Sequence, residues 1–179
     1  MRDSILEELV AIVGEENATD DPFILDAYSR DQSFVPPRQP NYVVRPGKVE
    51  EVQEIVRLAN SHIMPVIPYS SGTNFHGGAV PTNGGILVSL QRMNNIVYID
   101  ERNWNALIEP GVNYLQLQGE LEKLNLRVVA PLSSPPSASI LADYMERNPV
   151  ITAADLMFGN ELLNTYDIVM PSGELFTIG

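Results

Sequence analysis

A glycine-rich segment directly after a short apolar run is the feature that most restricts the fold of this 179-residue chain. The run Met64 to Ile67 predicts a buried strand that stops at Pro68, and small polar residues with three glycines follow up to residue 78. Glycine adopts backbone conformations that other residues resist, and a ligand can approach its main chain closely. A row of backbone N–H groups in such a turn suits an anion. The segment therefore predicts a diphosphate-binding loop, although an ordinary surface loop rich in glycine and serine fits it as well.

Composition and charge exclude several classes of protein. Apolar residues make up 44% of the chain, which is enough for a packed core, and the net charge is −12. A nucleic-acid or anionic-membrane surface needs clustered lysine and arginine, which this balance argues against. The chain has no cysteine, so it offers no disulfide, thiolate nucleophile or iron–sulfur cluster. No apolar run is long enough to cross a bilayer and the first residues lack a signal core, which predicts a cytoplasmic protein.

Helical and extended patterns mix along the chain, which predicts an α+β fold. Apolar residues at helical spacing indicate helices, and short apolar runs bounded by turn residues indicate strands. Helices are predicted over 4–13, 23–28, 48–61 and 114–124, the last capped by Asn113, and residues 140–163 have a weaker helical pattern. Strands are predicted over 42–44, 64–67, 85–90, 95–99, 105–109, 126–129, 166–170 and 175–178. Residues 33–40, with three prolines, are predicted to be an irregular connector.

The order and spacing of several short motifs identify a resemblance over residues 20–179. These motifs are Val44-Arg45-Pro46, Pro65-Val66-Ile67-Pro68, Ser71-Gly72-Thr73, Gly77-Gly78, Glu109-Pro110-Gly111-Val112 and Ile168-Val169-Met170-Pro171-Ser172-Gly173-Glu174. Together they resemble the FAD-binding domain of the vanillyl-alcohol oxidase / p-cresol methylhydroxylase superfamily, which includes glycolate oxidase and D-lactate dehydrogenase flavoproteins. The resemblance implies a PCMH-type fold with an N-terminal α/β subdomain and part of a second, mixed-sheet subdomain. The residue pattern predicts a helical segment and connector over residues 1–40, and the resemblance implies an FAD-binding domain over 41–179, incomplete at its C-terminal end.

The resemblance implies FAD as the cofactor, with its diphosphate on main-chain N–H groups of the glycine-rich loop. The residues implied at this site are Pro68, Tyr69, Ser70, Ser71, Gly72, Thr73, Asn74, Gly77 and Gly78. Pro131, with the loop from Ser133 to Ser139, is implied on the flavin side, and Pro110-Gly111-Val112 is implied to turn the chain near the cofactor. We expect Gly72→Val to abolish flavin retention by blocking the backbone while leaving the fold intact.

Two departures from the family pattern concern the cofactor. Relatives carry a Gly-Gly-Asn segment where this chain has the larger residues 139–144. Some relatives attach FAD to a histidine in the first loop, and the matching position here is Thr73, so the resemblance implies non-covalent FAD. His76 lies three residues later and fits either a phosphate contact or a solvated, structural role. No residue stands out as a catalytic base, and no metal site is predicted.

The resemblance implies a flavin-dependent oxidoreductase, a dehydrogenase or oxidase, that transfers a hydride from a hydroxy acid or aryl alcohol to FAD. Relatives add a substrate-binding cap domain, which this chain lacks. We therefore expect a second polypeptide or a missing C-terminal half to complete the FAD and substrate sites, and no activity without it. The alternative is a non-catalytic scaffold subunit of a larger redox complex with little or no FAD of its own. A third possibility is an unrelated nucleotide-binding protein. Against it, this chain has no lysine directly after the glycines, as a phosphate-binding P-loop would.

Overall fold

The computed structural model describes residues 4–131, 134–146, 149–151, 156–158 and 162–179. The chain divides into two compact units, one formed by Met1–Arg92 with Thr165–Gly179 and the other by Met93–Asn164. Each unit contains both helices and strands, which confirms the α+β class.

A four-stranded sheet forms the centre of the first unit. Its elements are α1 (Ser4–Val13), β1 (Ala18–Thr19), α2 (Pro22–Ala27), β2 (Tyr42–Val44), α3 (Val49–Ser61), β3 (Val66–Tyr69) and β4 (Ile86–Ser89). The strand order is β1-β2-β4-β3, in which β2, β4 and β3 run parallel and the short edge strand β1 runs antiparallel. Parallel strands are usually joined by a crossover helix, as α3 joins β2 to β3. Residues 70–85 join β3 to β4 without one, so the glycine-rich segment is itself the crossover.

Both faces of this sheet are buried, which explains the continuous apolar runs of its strands. On one face, Tyr42, Val44, Ile86 and Val88 pack with residues of α1 and α3. The other face presents the alternate strand residues, which pack with the α2 residue Leu25: Val43, Ile67 and Leu87. A strand turns successive side chains to opposite sides, so the same three strands supply both cores.

The described residues of the second unit form two α-helices and two strand pairs. Its elements are β5 (Ile96–Asp100), β6 (Asn105–Ile108), α4 (Tyr114–Leu121), α5 (Ile140–Met145), β7 (Pro149–Ile151) and β8 (Leu156–Phe158). The predicted cap of α4 is confirmed, because the Asn113 side chain accepts a 2.8 Å hydrogen bond from the Gln116 amide. β5 pairs with β6 as predicted, with an irregularity between Ile96 and Tyr98.

Two predictions for the second unit are wrong. Residues 126–129 do not form a strand, because the Val128 amide donates to the Gln118 side chain at 3.0 Å and the carbonyl oxygen of Val129 accepts from the Tyr144 hydroxyl. Side-chain partners thus replace a strand ladder in this segment. Among the described residues of 140–163, α5 follows the predicted helical pattern, whereas β7 and β8 pair antiparallel as strands. A weak period over short apolar runs does not separate helix from strand.

The predicted C-terminal hairpin, β9 (Tyr166–Val169) and β10 (Leu175–Ile178), belongs to the first unit. Helix α3 holds its turn with three side chains at helical spacing. Gln53 Nε2 and Arg57 Nη2 each donate to the Gly173 carbonyl oxygen at 2.8 Å, and the Asn60 amide donates to Pro171. One helix face therefore joins residues about 115 positions apart along the chain.

Candidate functional site

The glycine-rich loop begins at the carboxyl end of β3, next to β4 in the parallel part of the sheet. In open α/β sheets, ligands bind outside the carboxyl ends of the strands. Pro68 and Tyr69 are still paired with β4, and the loop proper starts at Ser70. Ala79, Val80 and Pro81 are buried and fix its far end, whereas Phe75 and His76 are exposed.

The centre of the loop carries backbone amides with no protein acceptor. Among the described residues, no oxygen accepts a hydrogen bond from the N–H groups of Ser71, Gly72 or Thr73. The Ser71 and Thr73 hydroxyl groups lie 2.8 Å apart and bond to each other. Residues 68–78 contain no lysine or arginine, and the donors at Ser71, Gly72 and Thr73 are neutral backbone amides. Several neutral N–H groups can share the charge of a diphosphate, so this donor set fits the predicted ligand.

Gly72 lies against a protein neighbour, which by itself favours glycine at this position. Its φ of +68° is a left-handed conformation, and a Cβ atom there would lie 2.0 Å from the Tyr69 hydroxyl oxygen. Tyr69 in turn meets Tyr28 edge to face, with ring centroids 5.0 Å apart. Burial, and then the nearby Tyr28 and Asp31, raise the pKa of Tyr69, which keeps its hydroxyl protonated at neutral pH. The expectation that Gly72→Val would spare the fold is therefore wrong.

The adjacent glycines Gly77 and Gly78 differ from each other. A Cβ at Gly77, whose φ is +79°, would lie 2.4 Å from a methyl carbon of Val35. A Cβ at Gly78 would meet no described atom within 4 Å, and this residue is exposed. Gly77 is thus a close packing position within the protein, and Gly78 borders open space in which a ligand group has room.

The other two predicted segments meet each other inside the second unit. The Tyr114 amide donates to the Ala138 carbonyl oxygen at 3.2 Å, and the Ile140 amide donates to that of Val112, also at 3.2 Å. The Ser139 hydroxyl donates to the Pro110 carbonyl oxygen at 2.8 Å. Residues 134–140 therefore run along residues 110–115, termed the 110–115 corner. The sequence analysis did not predict this contact between the two segments.

Pro131 and Ser139, the two predicted residues of this second region, are both buried. The Ser139 hydroxyl also accepts from the Ala142 amide at 3.3 Å and so caps α5. The Ser139 hydroxyl thus both donates and accepts hydrogen bonds within the protein. It holds the backbone of the second predicted segment in position. Ser133, where the predicted loop begins, lies outside the described residues.

A buried carboxylate organises this region. Asp143 on α5 is 9% exposed, and its Oδ2 accepts from the Tyr114 hydroxyl at 2.8 Å and from the Ser134 hydroxyl. Burial, followed by the hydrogen bond to Asp143, raises the pKa of Tyr114 strongly. Burial and the Asp143 charge raise the pKa of Tyr144 to about 12. Both phenols are therefore held in the neutral form.

We expect the chain to lose stability as the pH rises from 10 to 12. Tyr144 has a pKa near 10.0 when unfolded and about 12 when folded, so its contribution is complete below pH 10 and is lost as pH approaches the folded value. At pH 11 each such tyrosine lowers the free energy of unfolding by about 1.4 kcal/mol. Urea unfolding at pH 9 and 11 measures the drop. Tyr144→Phe should reduce the drop, and an unchanged drop would contradict the assignment.

The sequence analysis assigns no catalytic residue and predicts no metal site. Across the described ranges, no group of three or more His, Asp or Glu side chains is placed to hold a metal ion. None of the helices in the described part of the chain combines the length and apolarity that a membrane span requires.

No local sequence pattern indicates the residues that contact the loop from outside it. Tyr28, Asp31 and Val35 lie about 40 positions before the loop, in and beside the segment predicted as an irregular connector. Their contacts with Tyr69 and Gly77 arise from chain folding and carry no local motif.

Comparisons with known proteins agree with this geometry. Residues 40–142 match the family described as FAD binding domain. Glycolate oxidase subunit GlcD of Bacillus subtilis is 27% identical over 98% of this chain and 37% of its own length. The 4-cresol dehydrogenase [hydroxylating] flavoprotein subunit of Pseudomonas putida is 28% identical over 97% of this chain and 34% of its own.

A solved structure confirms the fold. The crystal structure of p-cresol methylhydroxylase with substrate bound superposes with a TM-score of 0.86 at 27% identity, covering 98% of this chain and 35% of that one. The chain thus spans about a third of the length of the relatives it matches. The family match includes the glycine-rich loop, the 110–115 corner and more than half of the 179 residues. The chain belongs to the FAD binding domain family, and FAD is its cofactor.

Proposed function

We propose that this chain is the FAD-binding part of a flavin-dependent oxidoreductase, and that its glycine-rich loop holds the diphosphate of non-covalent FAD. The observation that carries the proposal is the set of amides at Ser71, Gly72 and Thr73, which have no acceptor among the described residues and lie at the carboxyl end of β3. Open space beside Gly78 gives a ligand group room at the far end of the same loop.

Bound FAD supplies the redox chemistry by accepting a hydride, and the protein supplies binding and orientation. In this proposal, neutral backbone amides of the loop donate hydrogen bonds to the diphosphate of FAD. Asp143 and Ser139 hold residues 134–139, the predicted flavin-side segment, in place. Pro131 and Ser139 stay predicted flavin-side residues. The substrate class, a hydroxy acid or an aryl alcohol, is supported by the names of the glycolate and cresol relatives.

We further propose that another polypeptide, or a further part of the same protein, completes the FAD and substrate sites. Both relatives above are named as subunits, and this chain spans about a third of each. The apolar side chains of β10 also support it, because Leu175, Phe176 and Ile178 are 42%, 57% and 38% exposed. Under this proposal, the FAD-binding domain extends over 41–179, and the cytoplasmic location remains a prediction.

The test is FAD uptake by the chain and by a Gly78→Val variant. We expect the chain to retain flavin absorption bands after gel filtration with FAD, and the variant to bind FAD at least tenfold more weakly. The valine fills the space proposed for the phosphate, and it meets no described protein atom, so circular dichroism should not change. If the variant binds FAD as tightly as the unaltered chain, the glycine-rich loop is not part of the FAD site.

The same experiment separates the scaffold alternative. If neither the chain alone nor the chain purified with proteins encoded beside it retains flavin, the scaffold role is favoured. Flavin bands only in the complex would instead support a shared FAD site.

A further inference from the structure

We propose that residues 28–35, termed the brace, position the glycine-rich loop for FAD, and that Tyr28 and Val35 are its positioning residues. This inference rests on the proposed function of the loop. The brace forms one hydrogen bond and two packing contacts with the loop region, all within the first unit.

The hydrogen bond joins the two backbones. The Gln32 amide donates to the Asn74 carbonyl oxygen at 2.9 Å. The brace holds its own shape through side-chain oxygens, since Asp31 accepts from the Ser33 amide at 2.9 Å and the Ser33 hydroxyl accepts from the Val35 amide at 3.1 Å. The carbonyl of Asn74 is thereby held by a segment that is itself ordered.

The packing contacts act at the two ends of the loop. Tyr28 packs edge to face against Tyr69, whose hydroxyl fills the place of a side chain at Gly72. Val35 lies so close to Gly77 that a single added carbon there would overlap it. The loop has no helix or strand of its own between residues 70 and 78, so these contacts replace secondary structure as the source of its shape.

The order of the loop matters because its donors are backbone amides. A side chain can turn toward a ligand, but an amide points where the chain conformation directs it. A loop that is already ordered before binding does not lose conformational freedom when FAD arrives, and its affinity is higher for that reason. Contacts that restrict residues 70–78 should therefore raise FAD affinity without touching FAD.

The neighbouring residue Phe34 supplies a matched control. Its side chain is fully exposed, whereas that of Val35 packs on Gly77. We compare Val35→Ala and Tyr28→Leu with Phe34→Ala in the full chain. Two quantities are measured: the Kd for FAD per folded molecule and, without FAD, loop exchange, which is hydrogen exchange at the Gln32 and Val80 amides that donate to the Asn74 and Gly77 carbonyl oxygens of the loop.

We expect Val35→Ala and Tyr28→Leu to weaken FAD binding at least fivefold and to speed loop exchange at least fivefold. Tyr28 also packs on the core residues Val43 and Leu87, so the separation from a merely structural role is taken from Val35→Ala, in which exchange in β2 and β4 should stay unchanged. Phe34→Ala should match the unaltered chain. Loop exchange within twofold of that control in both variants would overturn the inference.

Failure of the proposed function gives a different result. If the unaltered chain binds no FAD, or if Gly78→Val binds FAD normally, the assignment of the loop to FAD fails. Loop exchange in Val35→Ala still decides whether the brace orders the loop.

Discussion

In a Gly72→Val variant, we expect the free energy of unfolding to fall by about 3 kcal/mol and retained FAD to disappear. The left-handed conformation of Gly72 costs a residue with a Cβ about 1–2 kcal/mol. The new Cβ would also lie 2.0 Å from the Tyr69 hydroxyl oxygen and 2.6 Å from its ring carbon, so the ring must move. Displacing a packed side chain adds about 1–3 kcal/mol. Urea unfolding and flavin absorbance per folded molecule measure the two effects.

A double-mutant cycle tests the cause. Tyr69→Ala removes the colliding ring, so Gly72→Ala should cost less in that background, with a coupling of about 1 kcal/mol or more. Gly78→Ala is the matched control, because its added carbon has no described neighbour within 4 Å, and its stability should stay within about 0.5 kcal/mol of the unaltered chain. A coupling of zero would show that Tyr69 is not what requires glycine at position 72.

The second large effect concerns Asp143. We expect Asp143→Leu to lower the free energy of unfolding by about 3 kcal/mol, because the buried Tyr114 hydroxyl and the Ser134 hydroxyl lose their common acceptor. Each unsatisfied buried group costs about 1–3 kcal/mol, and the added leucine recovers only part of that by burial. Chemical unfolding at pH 7 gives the value.

Asp143→Asn is the matched control because it keeps the size and one acceptor oxygen. It should cost about 1 kcal/mol, the difference between a charged and a neutral acceptor. Tyr114→Phe removes one donor and should make the later loss of Asp143 less costly. If Asp143→Leu proves as stable as Asp143→Asn, the carboxylate is not the organising group of this region.

Much of the local structure could be predicted because its signals are short in range. The apolar runs at 42–44 and 85–90 each became a strand and the stripe over 48–61 became α3, whereas the strand predicted over 64–67 is shifted by two residues to 66–69. Asn113 caps α4 through its own side chain, and the turn at Gly173 closes the last hairpin. Each of these features depends on residues within a few positions of one another, and the sequence shows them directly.

Other features escaped prediction because their partners are distant. The edge strand β1 has only two residues and pairs with β2 more than 20 positions later. Residues 126–129 carry strand-forming residues, yet bonds to Gln118 and Tyr144 replace the strand ladder. In the described part of 140–163, the predicted helical pattern gave the helix α5 but also the strands β7 and β8, since short apolar runs fit both periods.

Residue type and order along this chain establish its mixed class, the position of the glycine-rich loop and the neutral character of its donors. Folding alone places Tyr69 against Gly72, Val35 against Gly77 and no described residue against Gly78, so three similar glycines have different surroundings. The physical reason is range: backbone preference acts between neighbours in sequence, whereas the space around a Cα atom is set by whichever distant side chain packs there.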